Sequence, residues 1–363
     1  MSQITSGAVH AFYLFDVAHS IDLAALRTQF GDRAAVAQLH DKAPGPPRVR
    51  YIQPPVIVDG EAVGVPSLSA FRVRVKFYDY GVISLMLSQP FAGSWADLVR
   101  LGQDFIESEP LEAEAALASA RIVEATRPAL SGIRASVAED YLAFVVSGLD
   151  RPSTSDQVLE QHGADIAQML RGERQPLSMQ EREEVLRHRL SYLSDDLVVP
   201  AYNAAFVLDT ELGAVASLEI LEFVNSQLLE FRYHDELLES ELTSIYTALQ
   251  RPRLVDRWFG RRHTESARRV HSLFVDVNEL TDRMENSVKL VGDLYAARLF
   301  NIVAARVGLD GWKRNVEEKL KTLDDIYRFA VEQTGMSQGN LLELVIVFIL
   351  IIELGLFFAG IMK

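Results

Sequence analysis

Over the first 150 residues, apolar and polar positions mostly follow the period of two that marks strands, with two stretches of helical period between them. Residues 8–16 (AVHAFYLFD) predict a strand, and 20–30 (SIDLAALRTQF) a short helix capped by Ser20 and ended by Gly31. The stretch 41–66 is rich in Pro and Gly and carries an extended segment near 48–58, which Pro54 and Pro55 assign to a sheet edge. At 70–78, Phe71, Val73, Val75 and Phe77 alternate with Arg72, Arg74 and Lys76, the pattern of a half-buried strand. Asp79-Tyr80-Gly81 reads as a turn and 82–88 as the return strand. Ser94 caps a helix at 95–108, a further helix follows at 110–126, and 139–147 is strand-like again. The order β-α-β-β-β-α-β predicts an α+β domain over 1–150, a ferredoxin-like sandwich with one extra strand.

Residues 151–210 form a mixed connecting region, polar and helical from 153 to 194 and strand-like at 197–208. The period then changes. Leu221, Val224, Leu228, Phe231, Asp235, Leu238, Leu242, Ile245 and Leu249 recur in alternating steps of three and four, a heptad seam with one polar break. A second run uses Val270, Leu273, Val277, Leu280, Met284, Val288 and Val291, with helical patterning to about 306, and a third uses Trp312, Val316, Leu320, Leu323, Tyr327 and Ala330. Short connections between long helices favour antiparallel neighbours. The expectation for 211–334 is therefore a long, coiled-coil-like helical hairpin with a return helix.

The pattern changes once more at the end. Leu344–Met362 is a run of 19 residues with a single charge, Glu353. As a helix it spans ~28 Å, against ~30 Å for a bilayer's hydrocarbon core. Residues 341–362 thus predict a transmembrane helix; the competing reading is a hydrophobic oligomerisation helix. A mid-bilayer carboxylate costs on the order of 3 kcal/mol unless it is protonated or hydrogen-bonded to another helix, so Glu353 predicts self-association or a second membrane protein as partner. Lys313, Arg314, Lys319, Lys321 and Arg328 precede the run and only Lys363 follows it, which places the body on the cytoplasmic side.

Composition narrows the classes. A net charge of −14 disfavours general binding to double-stranded DNA or anionic lipid, except where basic charge is concentrated locally. Cysteine is absent, which removes disulfides, thiolate metal sites and a cysteine nucleophile. The N-terminal stretch MSQITSGAVHAFYLFDVAHS has no Lys or Arg before its apolar part, which includes Asp16, and reads as neither a secretory signal nor a transit peptide.

The chain has no phosphate-loop, dinucleotide-turn, zinc-helix or nucleophile-elbow motif, and no catalytic, cofactor-binding or metal-binding residue is expected from its pattern. Asp195-Asp196 reads equally as a carboxylate pair or as a turn before the strand at 197. His263 and His271 lie eight apart without a third ligand, and His234-Asp235 are adjacent and so do not face each other on a helix. The stretch 251–270 stands out: Arg251, Arg253, Arg257, Arg261, Arg262, Arg268 and Arg269 against only Asp256 and Glu265, with Trp258 and Phe259 between them. It reads either as a solvated turn or as a tip that meets lipid headgroups or RNA. In the hairpin, chain direction puts that tip on the membrane side.

The C-terminal 75 residues carry a further pattern. Gly292, Asp293 and Tyr295 stand on one helix, Trp312 precedes Lys319, Leu320, Leu323 and Tyr327, and a terminal span opens with Leu342-Glu343 and contains Glu353. This resembles the "required for meiotic nuclear division" (RMD) family, and DDLVVPAYNAAFVLD (195–209) resembles that family's central segment. The resemblance implies a membrane-anchored, non-enzymatic protein with a long helical hairpin that forms homo-oligomers. Mitochondrial members support organellar translation, which suggests an unknown protein or ribonucleoprotein partner. The family has no established catalytic residues to carry over. With no presequence or long N-terminal arm read at the start, the expectation is a bacterial inner-membrane version.

The expectation is a tail-anchored scaffold that self-associates and holds a cytoplasmic partner at the membrane. The alternative is an enzyme acting on a membrane-proximal substrate, with its site in the N-terminal α+β domain.

Overall fold

The computed structural model describes residues 2–36, 53–63, 71–106, 108–249, 275, 277–279, 294–326 and 328. The architecture is mixed α+β. Eight strands form one sheet: β1 (Ile4–Ile21), β2 (Ala34–Val36), β3 (Val56–Asp59), β4 (Arg72–Phe77), β5 (Val82–Gly93), β6 (Leu130–Leu149), β7 (Leu197–Pro200) and β8 (Ala204–Leu208). Their order is β2-β3-β4-β5-β1-β6-β8-β7. All neighbours are antiparallel except β6 and β8, which run parallel because two helices cross over between them. The helices are α1 (Leu23–Phe30), α2 (Trp95–Ile106), α3 (Glu109–Thr126), α4 (Ser155–Arg171), α5 (Met179–Arg187), α6 (Glu211–Leu249) and α7 (Leu294–Arg306), with a further helical stretch at 309–326.

Strand alternation sorts the sheet into two faces. Val9, Ala11, Tyr13 and Phe15 of β1, Val75 and Phe77 of β4, Ile83, Leu85 and Leu87 of β5, and Leu142, Phe144 and Val146 of β6 share one core with Leu26, Trp95, Leu98, Phe105, Ile122 and Ile166 from the helices. The other face is also covered. Phe12, Leu14, Tyr141 and Ala143, from the intervening positions, are buried too. α6 lies over this second face, joined to it by Lys76–Glu222 and by Tyr80–Ser226. α6 also packs on α7, where Phe223 meets Phe300 with ring centroids 6.2 Å apart. Packed against both the sheet and α7, every position from Ile220 to Phe231 is buried.

The structure corrects four expectations. The basic positions of β4 are not a uniformly solvated side, because Lys76 is 1% exposed under α6. The seam at Leu221, Val224, Leu228 and Phe231 is not a narrow stripe on that part of the helix, since the positions between its members are buried as well. The segment 197–208 is two strands, β7 and β8, because Ala201–Asn203 form the turn of a hairpin. α1 starts two residues later than Ser20 implies. Asp22 caps it, accepting from the Ala24 and Ala25 amides at 2.9 and 3.0 Å, while Ser20 pairs with Ser131 in the sheet. Ser94 does cap α2, accepting from the Asp97 amide at 3.2 Å. The β4–β5 turn depends on Gly81, whose φ is +96°; a Cβ there would fall 1.7 Å from the Ala18 carbonyl oxygen.

The chain separates into two compact units, Met1–Tyr233 with Thr281–Lys313, and His234–Leu280 with Arg314–Lys363. α6 supplies residues to both. In the second unit, Lys319 pairs with Asp235 at 3.0 Å and Glu239 at 2.7 Å, and Leu238, Leu242, Val316, Leu320 and Leu323 are buried. Asp235, the polar break of the heptad, is thus an ion-pair position.

Among the described residues one helix is long and apolar enough to cross a membrane, Glu211–Ser244. Its most apolar stretch is 83% buried within the protein, which identifies it as a core helix of the α+β body. The expected span at 341–362 lies outside the described residues.

Candidate functional site

The layer between the sheet and α6 concentrates the buried charge of the first unit. Glu222, Ser226 and Glu230 recur every four residues, so they share one face of α6. Each meets a different part of the sheet side. Glu222 binds the Lys76 ammonium, both side chains being 1% exposed. Burial alone would raise the Glu222 carboxyl; Lys76, with Arg74 behind it, outweighs that and holds it below the usual carboxylate range. Ser226 bonds the Tyr80 hydroxyl at 2.6 Å. Glu230 lies 3.5 Å from Arg134 of β6.

Arg134 is the centre of a larger group. Its Nε donates to Asp16 at 2.9 Å, its Nη2 bonds the same carboxylate, and its guanidinium lies 3.8 Å from the centroid of the Tyr233 ring. Asp16 is fully buried on β1, and burial lifts its carboxyl to about 6 in spite of Arg134. Next to Tyr233 on α6, Arg232 binds Glu139 and lies over the Trp312 ring at 5.6 Å. Burial raises Glu139 despite that partner. On the same face of the sheet, His10 bonds Ser88 at 2.9 Å, and burial followed by the Arg74 charge lowers it to about 4, so it is neutral at pH 7.

These ions are partnered, and the arrangement they form is a register lock between a sheet and a helix. No three His, Asp or Glu side chains come together as metal ligands among the described residues. A second cluster lies under the helices of the opposite face, where His162 of α4 joins Ser2 and Asp165.

The residues expected to carry function, Arg251, Arg253, Arg257, Trp258, Phe259, Arg261, Arg262, Arg268, Arg269 and Glu353, lie outside the described residues, as do His263 and His271. Of the pair Asp195-Asp196, Asp196 is a turn residue: its carboxylate accepts from the Tyr192 and Leu193 amides at 2.7 and 2.6 Å. Tyr295 stacks edge-on against Tyr192 at 5.6 Å. Sequence reasoning missed Lys76–Glu222 and Asp16–Arg134 because the partners are 146 and 118 residues apart, and no local pattern links them. Asp16 inside an apolar strand was the one available signal, since a carboxylate there needs a buried partner.

A mixed α+β body whose eight-stranded sheet is covered on both faces defines the class. The chain belongs to the family described as "Uncharacterized protein MJ0711, N-terminal domain", whose sequence model matches residues 6–215. That match takes in β1 from Ser6 onward, β2–β8 and α1–α5 and stops in the first two turns of α6, well before the C-terminal residues that resemble the RMD family. A relative is the uncharacterized protein MJ0711 of Methanocaldococcus jannaschii, 23% identical over 216 residues, which are 60% of this chain and 65% of that protein. The chain thus spans just under two thirds of the relative it matches. No solved structure matches it.

Two outcomes test the lock. Lys76→Met alone should cost ~3–5 kcal/mol in urea unfolding, because it strands the Glu222 carboxylate; adding Glu222→Leu should restore most of that loss. Additive losses would mean that the two side chains do not act as a pair. Asp16 gives a pH signature. Its folded value of about 6 exceeds the ordinary 3.8, so the native state holds the proton more tightly. Its contribution is present below 3.8 and is lost as pH rises through about 6. Asp16→Asn should therefore gain stability relative to the parent protein across that window; parallel profiles would show that Asp16 titrates normally.

Proposed function

We propose that this protein is a membrane-tethered scaffold whose α+β body is held at the cytoplasmic face by its C-terminal span, and that it self-associates and carries a partner there. The observation that carries the reading is α6. It is a continuous 39-residue helix, built into the sheet at one end and contributing to the second unit at the other. Paired buried charges suit a part that bears load better than one that opens to admit a substrate. The apolar run 344–362 supplies the tether, and Glu353 within it the expected contact between copies. The Arg-rich stretch with Trp258 and Phe259 suits an anionic surface near the membrane.

Two finer readings belong with this proposal. A ferredoxin-like first half is supported by the strand order β6-β1-β5-β4, antiparallel throughout, with β3 and β2 as additions at the edge. The helical hairpin is supported by the Lys319 pairs to Asp235 and Glu239. A role in translation and membership of the RMD family rest on the C-terminal resemblance. The rival reading, an enzyme with its site in the α+β body, has one specific observation in its favour, the Ser2–His162–Asp165 series.

Removing Leu341–Lys363 should move the protein from the membrane pellet to the soluble fraction, with the body folded. Sedimentation of that shortened protein with membranes, without aggregation, would contradict the tether.

A further inference from the structure

We propose that Ser2, His162 and Asp165 form a nucleophilic triad that cleaves small, uncharged acyl esters, an activity additional to the scaffold role. The Ser2 hydroxyl lies 2.9 Å from Nε2 of His162, and Nδ1 of the same ring lies 3.3 Å from the Asp165 carboxylate. The imidazole therefore stands between a hydroxyl and a carboxylate through its two different nitrogens. That is the order of nucleophile, base and orienting group in acyl-transfer sites. His162 and Asp165 are three apart on α4, so one helix face presents both. Ser2 comes from the segment leading into β1, where the Gln3 amide donates to Asp150 at 2.9 Å and the Asp150 amide to the Gln3 carbonyl at 3.0 Å.

The ring is held in place. Trp95 of α2 stacks on it with centroids 4.3 Å apart and planes 9° from parallel, and Phe206 of β8 backs the indole at 5.8 Å. The Trp95 indole N–H is buried and has no acceptor among the described residues, which leaves a donor beside the imidazole for a substrate oxygen. A histidine placed only for packing does not explain that orphan donor. The charges nearby select the substrate. Asp165, paired with His162, and Asp150, bonded to the amide of Gln3 next to Ser2, put negative charge near the nucleophile, which disfavours phosphate esters and other anions. Ser2 is 8% exposed, which limits the acyl group to a small one.

The reaction balances without another reagent. The Ser2 oxygen bonds to the ester carbonyl carbon, and its proton passes to Nε2 of His162. The carbon–oxygen bond to the alcohol breaks, and the alcohol leaves with that proton. Water then attacks the acyl-Ser2 ester, giving one proton to His162, which returns it to the Ser2 oxygen as the acid departs.

Full-length protein in detergent is incubated with p-nitrophenyl acetate and, separately, with p-nitrophenyl phosphate. The triad predicts acetate hydrolysis at least tenfold above a Ser2→Ala variant, a hydroxylamine-labile acetyl group on the Ser2 peptide, and no phosphate hydrolysis. Equal rates for parent and Ser2→Ala, or acetylation confined to other residues, would overturn it. A Ser2→Cys variant guards against misfolding. The chain has no cysteine, so that thiol is unique, and its alkylation rate against pH reads its ionisation directly. The triad predicts a thiol pKa below the ordinary ~8.5 that returns towards it when His162→Gln is added. The same value in both backgrounds would reduce the cluster to a packing unit and sink the proposal.

Discussion

The pairing of Lys76 with Glu222 sets the terms for the rest of the body. An ammonium or a carboxylate taken out of water alone costs several kcal/mol, so neither residue can be buried without the other. Each therefore dictates the position of the element that carries its partner. Ser226 to Tyr80 and Glu230 to Arg134 repeat the constraint at successive turns of α6. A slip of the helix by one turn, about 5.4 Å, would misplace all three at once. Apolar packing alone tolerates such slips. Here Phe12, Leu14, Tyr141 and Phe223 supply the burial, and the polar pairs select one register.

This explains what could be read in the chain and what could not. The strands at 8–16, 70–78, 82–88 and 139–147 were legible because one face of each packs on the helix-side core, and period two survives even when the second face is covered. What the pattern hides is the cover itself. Arg74 and Lys76 look like a wet face until the helix that neutralises them is known, and Glu222, Ser226 and Glu230 look like the outer side of a heptad seam. A heptad count records where apolar residues fall and assigns the remaining positions to water. α6 breaks that assumption because both the sheet and α7 pack against it. The Ser2–His162 pair is hidden for a simpler reason: the two residues are 160 apart.

The family match and the lock meet at one boundary. Residues 6–215 hold the sheet-side members Asp16, Lys76, Tyr80, Arg134 and Glu139, whereas Glu222, Ser226, Glu230 and Arg232 lie beyond it. The matched region thus contributes a sheet with charges on its second face, and the rest of α6 provides what neutralises them. A pull on α6 would be resisted by buried ions whose separation is costly, and only secondarily by an apolar surface that can slide.

Native-state hydrogen exchange on the full-length protein tests the join between α6 and the sheet most directly. If the polar pairs make α6 part of the sheet's own cooperative unit, the amides of Ile220–Phe231 exchange through the same opening, with the same free energy, as those of Val9–Phe15 in β1. Exchange along Ile220–Phe231 at a distinctly lower opening free energy, with β1 still protected, would contradict the account and make α6 a helix that merely rests on the sheet.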